Sequence, residues 1–208
     1  MSPSPSRAER LPQQERSRRT WDRVLEAGTE LVAEEGWSGL TITGVCRRAG
    51  VTAPSIYARV DGKAGLFLAV HERQLAQMRV TEDELIARYV RDGAPAEQAA
   101  AAAATVIAGV FEIHGKMLRS LIDRSAHDSQ MLDRGSAASR ALLSRLAEHI
   151  PLDEGRTWML LRAVYAACVM RTMYGASLLQ PAGSGGPSLE EEAVSLARTI
   201  ASAGAVPG

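Results

Sequence analysis

The stretch of sequence that decides the fold is CRRAGVTAPSIYARVDGK, residues 46–63. Apolar side chains recur through it at helical spacing, yet it also contains Gly50, Pro54 and Gly62. Glycine can adopt the left-handed conformation of a sharp turn, and proline is tolerated in the first turn of a helix, where N–H groups lack intrahelical partners. The pattern therefore predicts three helices, at about 42–49, at about 53–59, and from near Lys63 onward.

Hydroxyl side chains stand where the first two of these helices begin. Thr41 precedes the first, and its side-chain oxygen can accept a hydrogen bond from a free N–H group of the first turn. Thr52 precedes the second. Because Pro54 has no N–H, the Thr52 hydroxyl has to cap the N–H of Ser55 if it caps any. Two short helices joined by a glycine-centred turn are typical of a helix-turn-helix, whose second helix enters a DNA major groove.

The helical spacing divides the side chains of this motif into two sets. The inward set is apolar or small, as the crossing of two helices requires: Val45, Cys46, Ala49, Val51 and Ile56. The outward set on the second helix is mostly polar, which suits contact with DNA: Thr52, Ala53, Ser55, Tyr57 and Arg59.

A longer segment, VLEAGTELVAEEGWSGLTITGVCRRAGVTAPSIYARVDGKAGLF (residues 24–67), resembles the DNA-binding domain of the TetR family of transcriptional regulators. It shares that family's amphipathic first helix ending in glycine, its Thr-initiated second helix, AGV at the turn, a hydroxyl cap, an Ile-Tyr pair and a lysine opening the fourth helix. It departs at Arg59 and Val60, where the family usually has an aromatic residue or histidine and then Phe, and at Pro54, where a small residue is more usual.

The resemblance implies an all-α fold with two parts. The first is an N-terminal three-helix helix-turn-helix DNA-binding domain, and the second is a larger C-terminal helical domain for ligand binding and dimerisation. It also implies a homodimer formed through the last two helices. One helix-turn-helix reads few base pairs, so two of them on a two-fold operator are expected on geometric grounds as well.

The nine predicted DNA contacts divide by chemistry. Phosphate contacts, which set position, fall to charged and hydroxyl side chains near helix starts: Thr41, Tyr57, Arg59 and Lys63. Base-edge contacts, which read sequence, fall mainly to Thr52, Ala53 and Ser55. Arg47 and Arg48 are further candidates for guanine or phosphate, although either one equally fits a helix face that is simply solvated.

Composition and charge exclude several classes of protein. Aromatic residues make up 4% of the chain and β-branched runs are scarce, which favours packed helices. No segment reaches about 18 uninterrupted apolar residues and the N-terminus lacks a signal-peptide core, so we expect a cytoplasmic protein without a membrane segment. Cys46 and Cys168 lie in apolar helical patterns, which indicates small buried side chains in a reducing compartment.

The formal net charge is zero, which argues against an indiscriminate nucleic-acid binder, but the charge is unevenly distributed. Residues 1–23 carry six arginines against three acidic residues, and residues 40–63 carry four basic residues against Asp61. The segment between them contains Glu26, Glu30, Glu34 and Glu35 and no basic residue. Positive charge is therefore localised, which suggests a docking face.

The chain is predicted to consist of a flexible arm (1–13), a DNA-binding domain (14–66) and a regulatory domain (67–208). Gly36 fits the end of the first helix, and TEDE at 81–84 has the form of a capping box that starts a new helix or a register break. Capping residues Asp153, and Ser188 with Glu191, open the last two helices. The helices predicted in the regulatory domain are 64–79, 96–113, 115–124, 128–149, 154–178 and 189–203.

The middle of the chain holds candidate residues for a small-molecule pocket. Five of the seven methionines lie between 117 and 173, among aromatic residues and histidines. Flexible thioethers with a few polar groups suit an adaptable apolar pocket, although a methionine stripe on a helix is more often plain core. The candidate lining residues are Phe111, His114, Met117, Leu121, Met131, Trp158, Tyr165 and Met173.

No catalytic or metal-binding pattern accompanies these features. HERQL at 71–75 has Leu75 where a zinc-protease motif needs a second histidine, and Asp123 with His127 shares helical spacing but has no further identifiable ligand. We therefore expect neither an enzyme, nor a metal site, nor a cofactor. The expected function is that of a repressor that binds a palindromic operator in double-stranded DNA as a dimer and is released from it by a small-molecule effector. Two alternatives stay open: a helical small-molecule carrier with a vestigial helix-turn-helix, and a ligand-independent DNA-binding protein.

Overall fold

A computed structural model describes residues 13–176 and 186–203 of the chain. These residues form helices and no strand, so the all-α prediction is confirmed. The helices are α1 (Gln13–Gly39), α2 (Ile42–Ala49), α3 (Ala53–Tyr57), α4 (Gly62–Tyr89), α5 (Ala96–Ser125), α6 (Ser129–Ala147), α7 (Glu154–Tyr174) and α8 (Leu189–Ser202).

The chain divides into two compact units, Met1–Arg73 and Gln74–Gly208. The predicted arm, residues 1–13, lies outside the described residues except for Gln13, which begins α1. The division between the units falls inside α4, as does the predicted domain boundary at residues 66 and 67.

The N-terminal unit is a small helical core in which α1 packs against α2 and α2 against α3. Val24 and Val32 of α1 are buried at its centre together with Val45 and Ile56, which belong to the predicted inward set. Gly28 lets α1 and α4 approach closely, because a Cβ atom at this position would lie 2.5 Å from Val70 Cγ2. The unit is therefore held together by long-range packing among four helices.

The C-terminal unit is built around α5, which packs against α6, α7 and α8. Its alanine-rich first half is largely buried, and small side chains there allow close helix approach. Among the described helices α5 alone is long and apolar enough to cross a membrane by composition, and half of that apolar window is buried inside the protein. Its apolar character is that of a core helix surrounded by other helices.

Two predicted helix starts of the C-terminal unit are confirmed. Asp153 accepts a hydrogen bond from the Arg156 N–H at 2.9 Å, and Ser188 and Glu191 form the reciprocal capping box that opens α8. In addition Asp128, which sequence reasoning did not single out, caps α6 by accepting from Met131 N–H.

Two predicted breaks in this unit are wrong. The residues TEDE do not start a helix, because α4 runs through them and the Thr81 hydroxyl donates back to the carbonyl of Gln77 instead of capping. The break expected near 114 is absent as well, since α5 continues through Gly115. A capping pattern inside an established apolar face is overridden by the packing of that face. The predicted end of α7 near 178 lies outside the described residues, and the helix ends at Tyr174, with Gly175 as its C-cap.

Candidate nucleic-acid interface and effector site

The turn between α2 and α3 has the local geometry that its sequence requires. Thr41 has extended backbone angles and its Oγ1 accepts the Gly44 N–H at 3.0 Å, which confirms the predicted cap. Gly50 adopts φ 64° and ψ 41°, in the left-handed region, and its N–H bonds to the Cys46 carbonyl. The Val51 N–H shares that acceptor at 3.1 Å. The chain therefore reverses direction over a single glycine.

The second helix starts as predicted, but without the expected cap. Pro54 lies in the first turn of α3, and Thr52 has extended backbone angles, yet its hydroxyl does not accept from the Ser55 N–H. That N–H bonds to the Thr52 carbonyl at 3.0 Å, and the Thr52 and Ser55 hydroxyls bond to each other at 3.0 Å. The hydroxyls thus form a pair on the exposed side of the helix start. The predicted helix 53–59 is also shorter, ending at Tyr57.

The predicted DNA contacts lie on the exposed side of this motif. Ile56 is fully buried and anchors α3 to the core, whereas the side chain next to it, Tyr57, is 55% exposed. Ala53 is half-buried. The other eight predicted contacts are exposed: Thr41, Arg47, Arg48, Thr52, Ser55, Tyr57, Arg59 and Lys63.

Arg48 is engaged inside the N-terminal unit. Its guanidinium lies 2.7 Å from a carboxylate oxygen of Glu34 and 3.7 Å from one of Glu30, both on α1. The hydrogen bond with Glu34 raises the pKa of the guanidinium above its ordinary value. Because all three side chains are partly exposed, the pair adds little stability, but it fixes α2 against α1.

Arg59 also reaches back to α1. Its Nη2 donates to the Ser17 hydroxyl at 2.6 Å, and its guanidinium carbon lies 5.4 Å from the centre of the Trp21 ring. This distance is within the range of a cation–π contact. Arg59 therefore joins the chain just after α3 to the first turns of α1, a contact that the sequence did not reveal.

A second candidate site is the interior of the C-terminal unit, where four helices bring polar groups among apolar ones. Phe111 of α5 and Tyr165 of α7 meet edge to face with ring centres 5.1 Å apart. The Tyr165 hydroxyl bonds to Ser139 of α6 at 2.6 Å, and His114 Nε2 bonds to the Thr81 hydroxyl of α4 at 2.9 Å. Burial raises the pKa of Tyr165 and lowers that of His114, so both favour the neutral form.

An acidic residue that sequence reasoning missed lies close to this interior. Glu82 is 7% exposed, and its carboxylate lies 3.3 Å from Arg145 of α6. Burial raises the pKa of Glu82, while Arg79 and Arg145 oppose that shift. The signal was present in the sequence, because Glu82 shares the face of Met78 and Leu85, both buried, at i+4 and i+7 spacing.

The structure separates some of the predicted pocket residues. Phe111, Met117, Leu121 and Met131 are buried, and His114, Trp158, Tyr165 and Met173 are half-buried. Trp158 lies two helical turns before Tyr165, about 10 Å along α7. It lines an open groove of about 540 Å³ between α6 and α7, with Arg140, Leu143 and Arg162. Met173 lies near the end of α7, where its carbonyl accepts from Arg119. We therefore separate Trp158 and Met173 from the central group.

Across the described ranges 13–176 and 186–203, no group of three or more His, Cys, Asp or Glu side chains is arranged to hold a metal ion. Asp123 and His127, which share helical spacing, are both exposed. Cys168 is fully buried, and this burial raises the pKa of its thiol to about 12, so it stays protonated at neutral pH. Cys46 is half-buried rather than buried.

Residues 24–70, which contain the helix-turn-helix, match the sequence profile of a family described as bacterial regulatory proteins, tetR family. The resemblance to the TetR family is confirmed. The match lies within the N-terminal unit, and no curated protein matches the chain in sequence.

Solved structures show that a TetR-like fold extends over most of the chain. A candidate transcriptional regulator from Streptomyces coelicolor A3(2) is 19% identical, with a TM-score of 0.67 over 88% of this chain and 98% of the other. A TetR-like regulator from Rhodococcus sp. RHA1 is 15% identical, with a TM-score of 0.61 over 96% and 100%. The regulator FadR from Bacillus subtilis, in complex with stearoyl-CoA, is 15% identical, with a TM-score of 0.59 over 88% and 98%. At these identities the likeness concerns the fold.

Replacing Thr41 with alanine tests the cap that positions α2. Loss of the Thr41 side-chain oxygen leaves the Gly44 N–H without its acceptor, so we expect the free energy of unfolding to fall by about 1 kcal/mol. Thr43→Ala is the matched control, since Thr43 is exposed within α2 and caps nothing. Urea denaturation followed by circular dichroism measures both. Equal losses in the two variants would contradict the capping role.

Proposed function

We propose that this protein is a transcriptional regulator that binds a palindromic DNA operator as a homodimer and is released from it by a small-molecule effector. The observation that carries the proposal is the exposed side of α3, where the Thr52–Ser55 hydroxyl pair and Tyr57 face away from a core anchored by Ile56. This is the arrangement that a recognition helix needs to meet base edges and phosphates.

The contacts have different roles in this proposal. Thr52, Ala53 and Ser55 read base edges at the start of α3. Thr41, Tyr57 and Lys63 bind phosphates and set the register of the helix. Arg59 donates one N–H to Ser17 and has further N–H groups that can bind phosphate as well. Arg47 is exposed on α2 and is the better candidate of the two neighbouring arginines for direct contact, because Arg48 is tied to Glu34.

Selection from randomised duplex DNA tests the proposal, and we expect it to enrich a palindromic site. Lys63→Ala is expected to lower affinity for the selected site and for an unrelated duplex to a similar degree, because a phosphate contact carries no sequence information. The plot of log affinity against log salt concentration should become shallower by about 0.9 for each phosphate interaction removed. Fluorescence anisotropy at several salt concentrations measures this slope.

Lys116→Ala is the matched control, because it removes the same charge from an exposed site on α5 in the other unit. An unchanged slope in the Lys63 variant would exclude a phosphate contact by Lys63. Selection that enriches no palindrome would contradict DNA-directed regulation and would favour a helical carrier.

Support for the homodimer comes from an apolar stripe on α7 that points away from its buried face. Met159, Met170 and Tyr174 are 51%, 40% and 59% exposed, and small alanine side chains lie between them at helical spacing. A stripe of methionine, alanine and tyrosine is costly to leave in water and is suited to packing against a second copy of the same helix.

Met170→Arg tests this interface. A charge in the centre of the stripe should convert a dimer into a monomer, since an unpaired charge is costly to bury. Sedimentation equilibrium at micromolar concentration measures the mass. Leu132→Arg is the control, because Leu132 is 50% exposed on α6. A wild-type protein that sediments as a monomer would exclude the dimer.

Support for an effector site comes from the interior of the C-terminal unit. Neutral hydrogen-bonding groups of Thr81, His114, Ser139 and Tyr165 lie among apolar and aromatic side chains. Such a setting suits a ligand with an apolar body and a hydrogen-bonding group. The FadR protein of similar fold forms a complex with stearoyl-CoA, which supports the proposal that a protein of this fold binds a small molecule. Ligand and DNA favouring different states of the protein would couple the two sites.

A thermal-shift screen with apolar compounds that carry one polar group tests the effector site. A compound at 100 times its dissociation constant should raise the free energy of unfolding by about 2.7 kcal/mol and should weaken operator binding. Tyr165→Phe should reduce the shift, and Tyr89→Phe, on an exposed tyrosine of α4, should not. Compounds that stabilise the protein without changing operator affinity would favour the ligand-independent alternative.

A further inference from the structure

We infer that Arg16 and Arg23 of α1 contact DNA phosphates beside the site that α3 occupies, so that the first turns of α1 form a second phosphate-binding surface. This inference rests on the proposed DNA-binding function and extends it to a helix outside the helix-turn-helix. It concerns side chains in the described part of α1, which begins at Gln13.

The first turns of α1 lie next to the recognition segment. Arg59, two residues after α3 ends, donates to Ser17 and lies over the ring of Trp21, although Ser17 is 42 positions earlier in the chain. The hydrogen bond therefore joins two exposed segments that are far apart in sequence. In this arrangement Arg59 acts as a positioning residue that holds the start of α1 beside the end of α3.

One stripe of α1 faces α2 and carries both acidic and basic residues. At about 100° per residue, Arg16, Arg23, Glu30 and Glu34 lie within about 40° of one another around the helix axis. Glu30 and Glu34 pair with Arg48 of α2, which identifies the direction of this stripe. Arg48 thereby offsets one of the two negative charges at the acidic end of the stripe, and the basic end lies in the turns nearest Ser17.

The basic end of the stripe is uncompensated. Arg16 and Arg23 are exposed, and neither guanidinium has an acidic partner among the residues that the structure describes. Arg19, in the same turns, is different because it pairs with Glu15 at 2.7 Å. Two free guanidinium groups in the turns that adjoin Arg59 are complementary to the phosphate backbone, which guanidinium binds with a planar set of donors.

The opposite flank of α1 provides a matched control. Arg18 is exposed and lies about 150° around the axis from Arg16 and Arg23. It shares its flank with Asp22, which lies 3.7 Å from Arg73 of α4, so this flank faces α4 and not α2. Arg18→Ala removes the same charge from the same turns of the same helix. A general electrostatic effect would therefore lower the salt slope of this variant as much as that of the other two.

The test compares Arg16→Ala, Arg23→Ala and Arg18→Ala in the full-length protein. Affinity for the selected operator and for an unrelated duplex is measured by fluorescence anisotropy between about 50 and 200 mM salt. The salt slope should fall by about 0.9 for each phosphate that is no longer neutralised, and by about twice that where two protomers bind. We expect this decrease in Arg16→Ala and Arg23→Ala, on both duplexes, and no decrease in Arg18→Ala.

The outcomes separate this inference from the proposed function. If the wild-type protein enriches no operator, the proposed function fails. If it binds an operator and the three variants keep the wild-type slope, or all three slopes fall equally, the second phosphate-binding surface is refuted while the proposed function stands. Arg59→Lys, which keeps the charge but removes the forked donor, should weaken binding partly through the same surface, and its effect should be smaller in the Arg16→Ala/Arg23→Ala background than in the wild-type protein.

Discussion

The left-handed turn at Gly50 is the constraint on which the candidate DNA-binding surface depends. At φ 64° any residue with a side chain would strain the backbone. An added Cβ atom at Gly50 would have no neighbour within 4 Å, so no packing contact would offset that strain. The N–H groups of Gly50 and Val51 both close onto the Cys46 carbonyl, which ends α2 within one residue. Only then can Ile56 enter the core while the Thr52–Ser55 hydroxyl pair stays outside.

Arginine side chains supply much of the long-range order around this turn and in the C-terminal unit. Arg48 joins α2 to α1, and Arg59 joins the end of α3 to α1. In the C-terminal unit Arg119 donates to carbonyls at the end of α7, and Arg156 donates to the carbonyls of Ile200 and Ala201 at the end of α8. Cations at helix C-termini satisfy carbonyls that lack intrahelical partners. The zero net charge of the chain therefore conceals arginines that serve structure and others that stay free.

The sequence predicted local features well and long-range ones poorly. Thr41, Gly50, Asp153 and the Ser188–Glu191 pair act as predicted, because capping and turns depend on residues within a few positions. The break expected at residues 81–84 is wrong because burial of the α4 face outweighs a capping pattern. The Arg59–Ser17 hydrogen bond spans 42 positions, and no local rule could have indicated it. The burial of Glu82 could be inferred from helical spacing, but its partner Arg145 could not.

The interior of the C-terminal unit sets a condition on any effector. The Tyr165 and Ser139 hydroxyls already bond to each other, as do His114 and Thr81, so a ligand gains little by adding one more polar group. It must replace a bond that it breaks, because a buried hydroxyl left without a partner costs about 1–3 kcal/mol. An apolar compound that merely separates these pairs would incur that cost, whereas one with a correctly placed donor or acceptor would not. Selectivity in this site should therefore follow the polar group of the ligand more than the length of its apolar part.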